Sequence, residues 1–225
     1  MKCMQHAPFF PVLHRILKPL FPGCLWLGDP QRREIALTFD DGPHPRYTPP
    51  LLEVLDQFGV KATFFWLGCQ VERSPQLART IYQQGHGIGL HGYEHIAFPR
   101  LSPAQLQSSL IRTQTAIATA CDLPPQQVKD VRPPNGLFTP QTLRLLKQWH
   151  YYPVMWSVVP EDWVLPGVDV IRRRVLEQTG NGSIIVLHDG PQGGAAVAEV
   201  TAQILPLLLQ AGYQFVTIDT FRRSM

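Results

Sequence analysis

Five short stretches of the chain carry side chains that could do chemistry together. Asp40-Asp41-Gly42-Pro43 closes an apolar run, His91 and His95 stand close together, and Arg132 precedes Pro133-Pro134-Asn135. Asp162-Trp163 follows a further apolar run, and His188-Asp189 ends another. Two adjacent carboxylates held close together repel, so Asp40 and Asp41 require a counter-charge. His91 and His95 can converge on one cation, and a carboxylate from another strand end completes a His, His, Asp set with positions left open. One acid of the pair then binds the metal, and its neighbour faces water as a general base that Arg132 holds ionised. A metal so held acidifies water and polarises a carbonyl, which is the equipment of hydrolysis. A separate acid must protonate the leaving group; His188 is the candidate, with Asp162 to orient its ring and raise its pKa. Trp163 and Phe138 are candidate rings for the wall of a groove, with ordinary packing as the equal reading for Phe138.

These residues fall where strands would end, which is where parallel α/β barrels keep their chemistry. From Glu34 onward short β-type runs alternate with helical patterns, the arrangement of parallel strands joined by crossovers. Strands are predicted near Glu34 to Phe39, Ala62 to Leu67, Gly87 to His91, Val131 to Arg132, Tyr152 to Ser157, Ser183 to His188 and Gln214 to Ile218. Helices are predicted near Thr48 to Phe58, Pro75 to Gln84, Pro103 to Ala120, Pro140 to Gln148, Val170 to Gln178 and Val197 to Leu209. Ser74-Pro75, Ser102-Pro103 and Thr139-Pro140 put a capping hydroxyl before a proline at the first helical position. Gly59, Gly85 and Gly212 provide left-handed stops. Runs such as Ile184-Ile185-Val186-Leu187 lack alternation, as strands buried on both faces do. The fold expected is α/β, a distorted seven-stranded (β/α) barrel related to the TIM barrel, with a doubly wound open sheet as the rival. Residues 1–30 form a separate segment and 31–225 the main domain; Leu13, Ile16, Leu17 and Leu20 sit at helical spacing beside His14, Arg15 and Lys18. The expectation is an amphipathic helix closing the barrel floor, with a membrane-surface helix as the other reading.

The 225 residues suffice for one domain of ordinary to large size or two small ones, and 44% hydrophobic against 16% charged content excludes wholesale disorder. A net charge of +3, spread along the chain, gives no electrostatic case for nucleic acid. No run approaches the ~20 apolar residues of a membrane span, and no secretory signal is visible near the N-terminus. Cys3, Cys24, Cys69 and Cys121 are scattered, which excludes a zinc knuckle or a redox pair and leaves free thiols as the default.

The five stretches, in this order, resemble the polysaccharide deacetylases that share the NodB homology domain, the fourth family of carbohydrate esterases. The resemblance runs from about Arg33 to Phe221, and Thr38-Phe39-Asp40-Asp41-Gly42-Pro43 is its most specific element. It implies a distorted seven-stranded barrel, Asp40 as catalytic base, and Asp41, His91 and His95 as ligands of a divalent metal, zinc before cobalt or manganese. It also implies that Arg132 positions the base, that Asp162 and Trp163 end the fourth motif, and that His188 is the catalytic acid. The backbone N–H at Asn135 is the implied oxyanion donor. The chain departs from the family pattern in three places. Gly92 stands where a Ser or Thr hydroxyl would brace the metal loop, Asn135 replaces a tyrosine ring of the groove wall, and Val159 replaces an Asp near the base and arginine.

The activity expected is metal-dependent removal of N-acetyl groups from amino sugars of a chitin- or peptidoglycan-like glycan, releasing acetate. The resemblance points to the cell envelope or outside the cell, while the N-terminus shows no clear signal, so the sequence leaves the location open. The rivals are a glycan-binding protein without turnover and a hydrolase of another amide or ester, such as acetylated xylan or a cyclic imide.

Overall fold

The computed structural model describes residues 16–223. At its centre runs Glu34–Asp40 (β1), whose Ile35 to Phe39 are fully buried. Around it, in chain order, come Thr63–Trp66 (β2), Gly87–Leu90 (β3), Asp130–Val131 (β4), Tyr152–Pro153 (β5), Ile184–His188 (β6) and Gln214–Phe215 (β7). All pairings among these strands are parallel, in the order β5-β4-β3-β2-β1-β6, with β7 attached to the first two residues of β1. The register sets Asp40 opposite His188 on one side and Phe65 on the other.

The helices are Thr48–Gln57 (α1), Gly68–Arg73 (α2), Pro75–Gln83 (α3), Pro103–Cys121 (α4), Pro140–Gln148 (α5), Val168–Gln178 (α6), Gly194–Gln210 (α7) and Ile218–Arg223 (α8). α1 packs on α7, α2 and α3 on α4, and α6 on α7. Ser102 and Thr139 cap α4 and α5 as expected, each accepting from the amide three residues on. Ser74 makes no such bond, because it also ends α2 and its backbone follows that helix.

Because strand side chains alternate, β1 feeds two compartments. Ile35, Leu37 and Phe39 join the main apolar core beneath the helices. Ala36, Thr38 and Asp40 face the other way, so that the interior side of the strand reads apolar, hydroxyl, carboxylate toward its end. Ala36 there packs with Phe65, Val154, Ile184, Ile218 and Phe221.

The strands differ from the sequence expectation in extent. The fifth and seventh are two residues long, and the chain after Pro153 leaves the ladder to make single bridges, Val154 to Leu25 and Val158 to Ile185. Beneath the strand starts, Ile218 and Phe221 of α8 are buried beside Ala36 and Ile184. Residues 16–20 are helical, and Leu17 and Phe21 pack with Cys24, Trp26 and Met155 on the β5 side; Leu13, His14 and Arg15 lie outside the described residues. Leu25 and Gly28 line the gap between β5 and β6: Leu25 N–H donates to Pro153 O, Met155 N–H to Leu25 O, and Gly28 N–H to Gly182 O. Cys24 and Cys121 are buried free thiols, with Cys69 half-buried. No helix among the described residues is long and apolar enough to cross a membrane.

Candidate active site

β1 ends in a turn that only small residues permit. Asp41 takes a left-handed backbone (φ 76°) before the cis Gly42-Pro43 bond. A Cβ at Gly42 would overlap the Asp189 carboxylate, and one at Gly190 would overlap Asp41 itself. The turns after β1 and β6 are thereby pressed together, with Asp189 N–H donating to Asp40 O at 3.1 Å.

This turn sends the two acids to different partners. Asp40, 2% exposed, accepts at Oδ1 from Arg132 Nη1 at 2.7 Å. Arg132 is fully buried; Nη1 also donates to Thr38 Oγ1 at 2.7 Å and Nη2 to Met155 O at 2.9 Å, while its guanidinium lies over the Phe65 ring at 4.1 Å. The guanidinium thus stands as the counter-charge at one oxygen of the Asp40 carboxylate. Its Nε finds no hydrogen-bond partner among the described residues. Val159, which lines the cavity nearby, gives its own N–H to Gln178 Oε1 at 3.0 Å.

Asp41 faces the histidines. Its Oδ1 is buried without a hydrogen-bond partner and lies 3.4 Å from His91 Nε2 and 3.5 Å from His95 Nε2. Tetrahedral ligands at bonds of ~2.0–2.1 Å are ~3.3 Å apart, so the three atoms are spaced as ligands of one small cation. They all lie within 4.8 Å of one another. His91 Nδ1 is 2.7 Å from Arg132 O, the bond that commits the proton to Nδ1 and leaves the Nε2 lone pair facing Asp41. Burial holds His91 neutral against the pull of the Asp40 and Asp41 charges, the form a ligand requires. The residues therefore fit a divalent metal.

His188 occupies the other side of the cavity. Asp162 grips it twice: Oδ2 accepts its backbone N–H at 2.8 Å, and Oδ1 lies 2.8 Å from Nδ1. Burial alone would depress its pKa, but Asp162, with Asp40 and Asp41 farther off, lifts it to about 9. Its ring meets the Trp163 edge at a centroid distance of 5.3 Å.

All nine predicted site residues converge on one region. Asp40, Asp41, His91, His95, Asn135, Trp163 and His188 line a cavity of about 260 Å³, with Arg132 and Asp162 buried behind Asp40 and His188. Asn135 adopts the left-handed conformation (φ 56°) at the turn after β4. Phe138, read as a groove ring, lies elsewhere: it packs edge-on against Phe21 at 5.0 Å, because Gly136 turns the chain away over Trp156. Trp156 and Gln192 also line the cavity and were not singled out in the sequence. Asp189 was seen at its strand end without a role. It is fully buried, pushed up to about 7 by burial and by Asp41 and Asp40 against the Thr48 hydrogen bond, and braces the turn of Asp41.

A parallel α/β sheet with an Asp, His, His cluster spaced for a cation, beside an arginine-held carboxylate and with a carboxylate-held histidine opposite, has the make-up of a hydrolase site. The polysaccharide deacetylase profile matches residues 27–154, and the chain belongs to the polysaccharide deacetylase family. It is 34% identical over 203 residues to a peptidoglycan-N-acetylglucosamine deacetylase of Bacillus cereus, covering 88% of this chain and 92% of the relative. It is 39% identical to a chitooligosaccharide deacetylase of Bradyrhizobium, over 76% of this chain and 78% of that one. Among solved structures, the Bc1960 peptidoglycan N-acetylglucosamine deacetylase superposes with a TM-score of 0.84 at 29% identity over 96% of both chains.

Proposed function

We propose that this protein removes N-acetyl groups from amino sugars of a peptidoglycan- or chitin-like glycan, yielding acetate and a free amine. One observation carries the reading: the buried, unpartnered Oδ1 of Asp41 lies at ligand spacing from two imidazole nitrogens, directly beside a carboxylate held by Arg132. We read the sheet as a distorted (β/α) barrel, supported by the single bridge that Val158, in the segment after β5, makes to Ile185 of β6 at the other edge. Asp41, His91 and His95 hold the metal, zinc by the chemistry of a two-imidazole, one-carboxylate set, with cobalt or manganese as substitutes. When bound, it supplies Lewis acidity for an acetamide carbonyl.

The remaining roles belong to the protein. Asp40, paired with Arg132 at 2.7 Å, takes the proton from the attacking water. The Asn135 N–H donates to the oxyanion as it develops. His188, protonated at neutral pH through Asp162, gives its proton to the departing nitrogen. Trp163 offers a ring for the sugar at the mouth.

Acetate release from N-acetylated chitooligosaccharides and peptidoglycan, with and without chelator, tests the reading, with acetylated xylan and a cyclic imide as competing substrates. Asp40→Asn is expected to lower kcat by at least ~10²-fold with metal still bound, the scale of a lost general base. His91→Ala is expected to lose metal and turnover together. Glycan binding without acetate release by the metal-loaded chain would mark it as a binding protein instead.

A further inference from the structure

The cavity wall that carries His91 and His95 ends in a glycine, and its support comes from outside the loop. His91 N–H continues the ladder to Trp66 O at 2.9 Å, and Gly92 then turns the chain at φ 87°. The Gly92 and Tyr93 carbonyls accept from the Gly68 and Cys69 amides, both at 3.0 Å, so the first amides of α2 are spent on this loop. The N–H between those two carbonyls, that of Tyr93, donates to Ser109 Oγ on α4 at 2.9 Å. A side chain at position 92 would start 3.6 Å from that same oxygen and 3.1 Å from Glu94 O.

Ser109 belongs to a face of α4 turned toward the loop. One turn on, Thr113 Oγ1 donates to Ser109 O at 2.8 Å, and Arg112 lies over the Tyr93 ring at 3.6 Å. Tyr93 is fixed at its far end by its hydroxyl, which donates to Glu72 Oε2 on α2 at 2.7 Å. α2 and α4 thus grip the chain between the two histidines from both sides.

We propose that Ser109 is a positioning residue for the metal site: its hydroxyl, delivered by α4, holds the loop that fixes the His91–His95 separation, where residue 92 has no side chain to do so. The inference rests on reading Asp41, His91 and His95 as a metal site. Without the hydroxyl, the Tyr93 N–H loses its acceptor in a half-buried place and the two imidazoles lose their fixed spacing.

The test is a Co²⁺ titration of the metal-free protein followed by visible absorption, on wild type, Ser109→Ala, Ser109→Thr and Ser108→Ala, with circular dichroism to confirm folding. Ser108 is the exposed neighbour on the same helix and controls for general damage to α4. Ser109→Ala is expected to weaken Co²⁺ binding about tenfold, the scale for removing a support of a metal ligand. Ser109→Thr and Ser108→Ala are expected to bind as wild type does. Hydrogen exchange at the Tyr93 amide is expected to quicken in Ser109→Ala alone. Wild-type affinity in Ser109→Ala, or equal weakening in Ser108→Ala, overturns the proposal while leaving the metal site standing. Failure of wild type to take up Co²⁺ removes both.

Discussion

Replacing Asp162 by Asn tests the electrostatics of the site through a single proton. In the structure His188 is nearly enclosed, with a side chain 14% exposed, and burial on its own would push its pKa below 6.5. The Asp162 carboxylate at 2.8 Å is the largest of the groups that reverse this and raise it to about 9. An asparagine retains the shape and its oxygen can still accept from Nδ1–H, at the cost of the acceptor for the His188 backbone N–H; the charge is gone, so the pKa should fall by about two units or more. At pH 7.5 a histidine of pKa near 9 is ~97% protonated, whereas one at 6.5 is ~10% protonated. If the protonated form does the work, kcat/KM falls about tenfold at that pH, and by less as the pH is lowered toward 6. The assay is acetate release from a chitooligosaccharide across pH 6 to 10 at saturating metal. The alkaline limb is expected to move acidward by about two units in Asp162→Asn. A variant that loses rate equally at every pH, with its alkaline limb unmoved, would show that Asp162 acts through geometry alone and that His188 is not the acid.

Other outcomes follow from the same structure. Gly42→Ala drives a methyl group into the Asp189 carboxylate beside Asp41, and should cost ~1–3 kcal/mol as an overpacked site does. It should appear as a Tm lowered by roughly 2–4 °C per kcal/mol together with weaker Co²⁺ binding. Thr38→Val removes a hydroxyl that both accepts from Arg132 and donates to Ile185 O, so the urea midpoint should report a loss of ~1–3 kcal/mol. Stripping the metal with a chelator should lower Tm and abolish acetate release, and both should return with zinc. At metal a hundredfold above Kd the stabilisation is ~2.7 kcal/mol, and a melt insensitive to zinc would contradict the ligand set.

What the sequence disclosed was chemistry placed at strand ends. Asp40, Asp41, His91 and His188 could be found because each closes an apolar run, and His95 because it stands four residues after His91. Helix starts were legible where proline and a hydroxyl coincided, as at Ser102 and Thr139. α2 was not legible: it is six residues long and starts after Leu67 without a side-chain cap, its first amides going to the histidine loop. The run from Tyr152 to Ser157 looked like a long strand because its residues are apolar, yet most of its burial comes from Leu25, Trp26 and the interior cluster, not from a continuous ladder. Phe138 stayed open between groove ring and packing because an aromatic near a catalytic turn serves equally well as a contact for Phe21, which is the role it takes. Ser109 carries no local signal, since its partner Tyr93 is 16 residues away in sequence.

Leu25 serves as a keystone. A chain trimmed at residue 27, where the family profile begins, would keep every residue of the catalytic cavity yet strip the partners from Pro153 O and Met155 N–H, and would uncover Met155 beneath Trp26. The Met155 carbonyl is also an anchor of Arg132, so the damage would travel from the outer seam to the base in two steps.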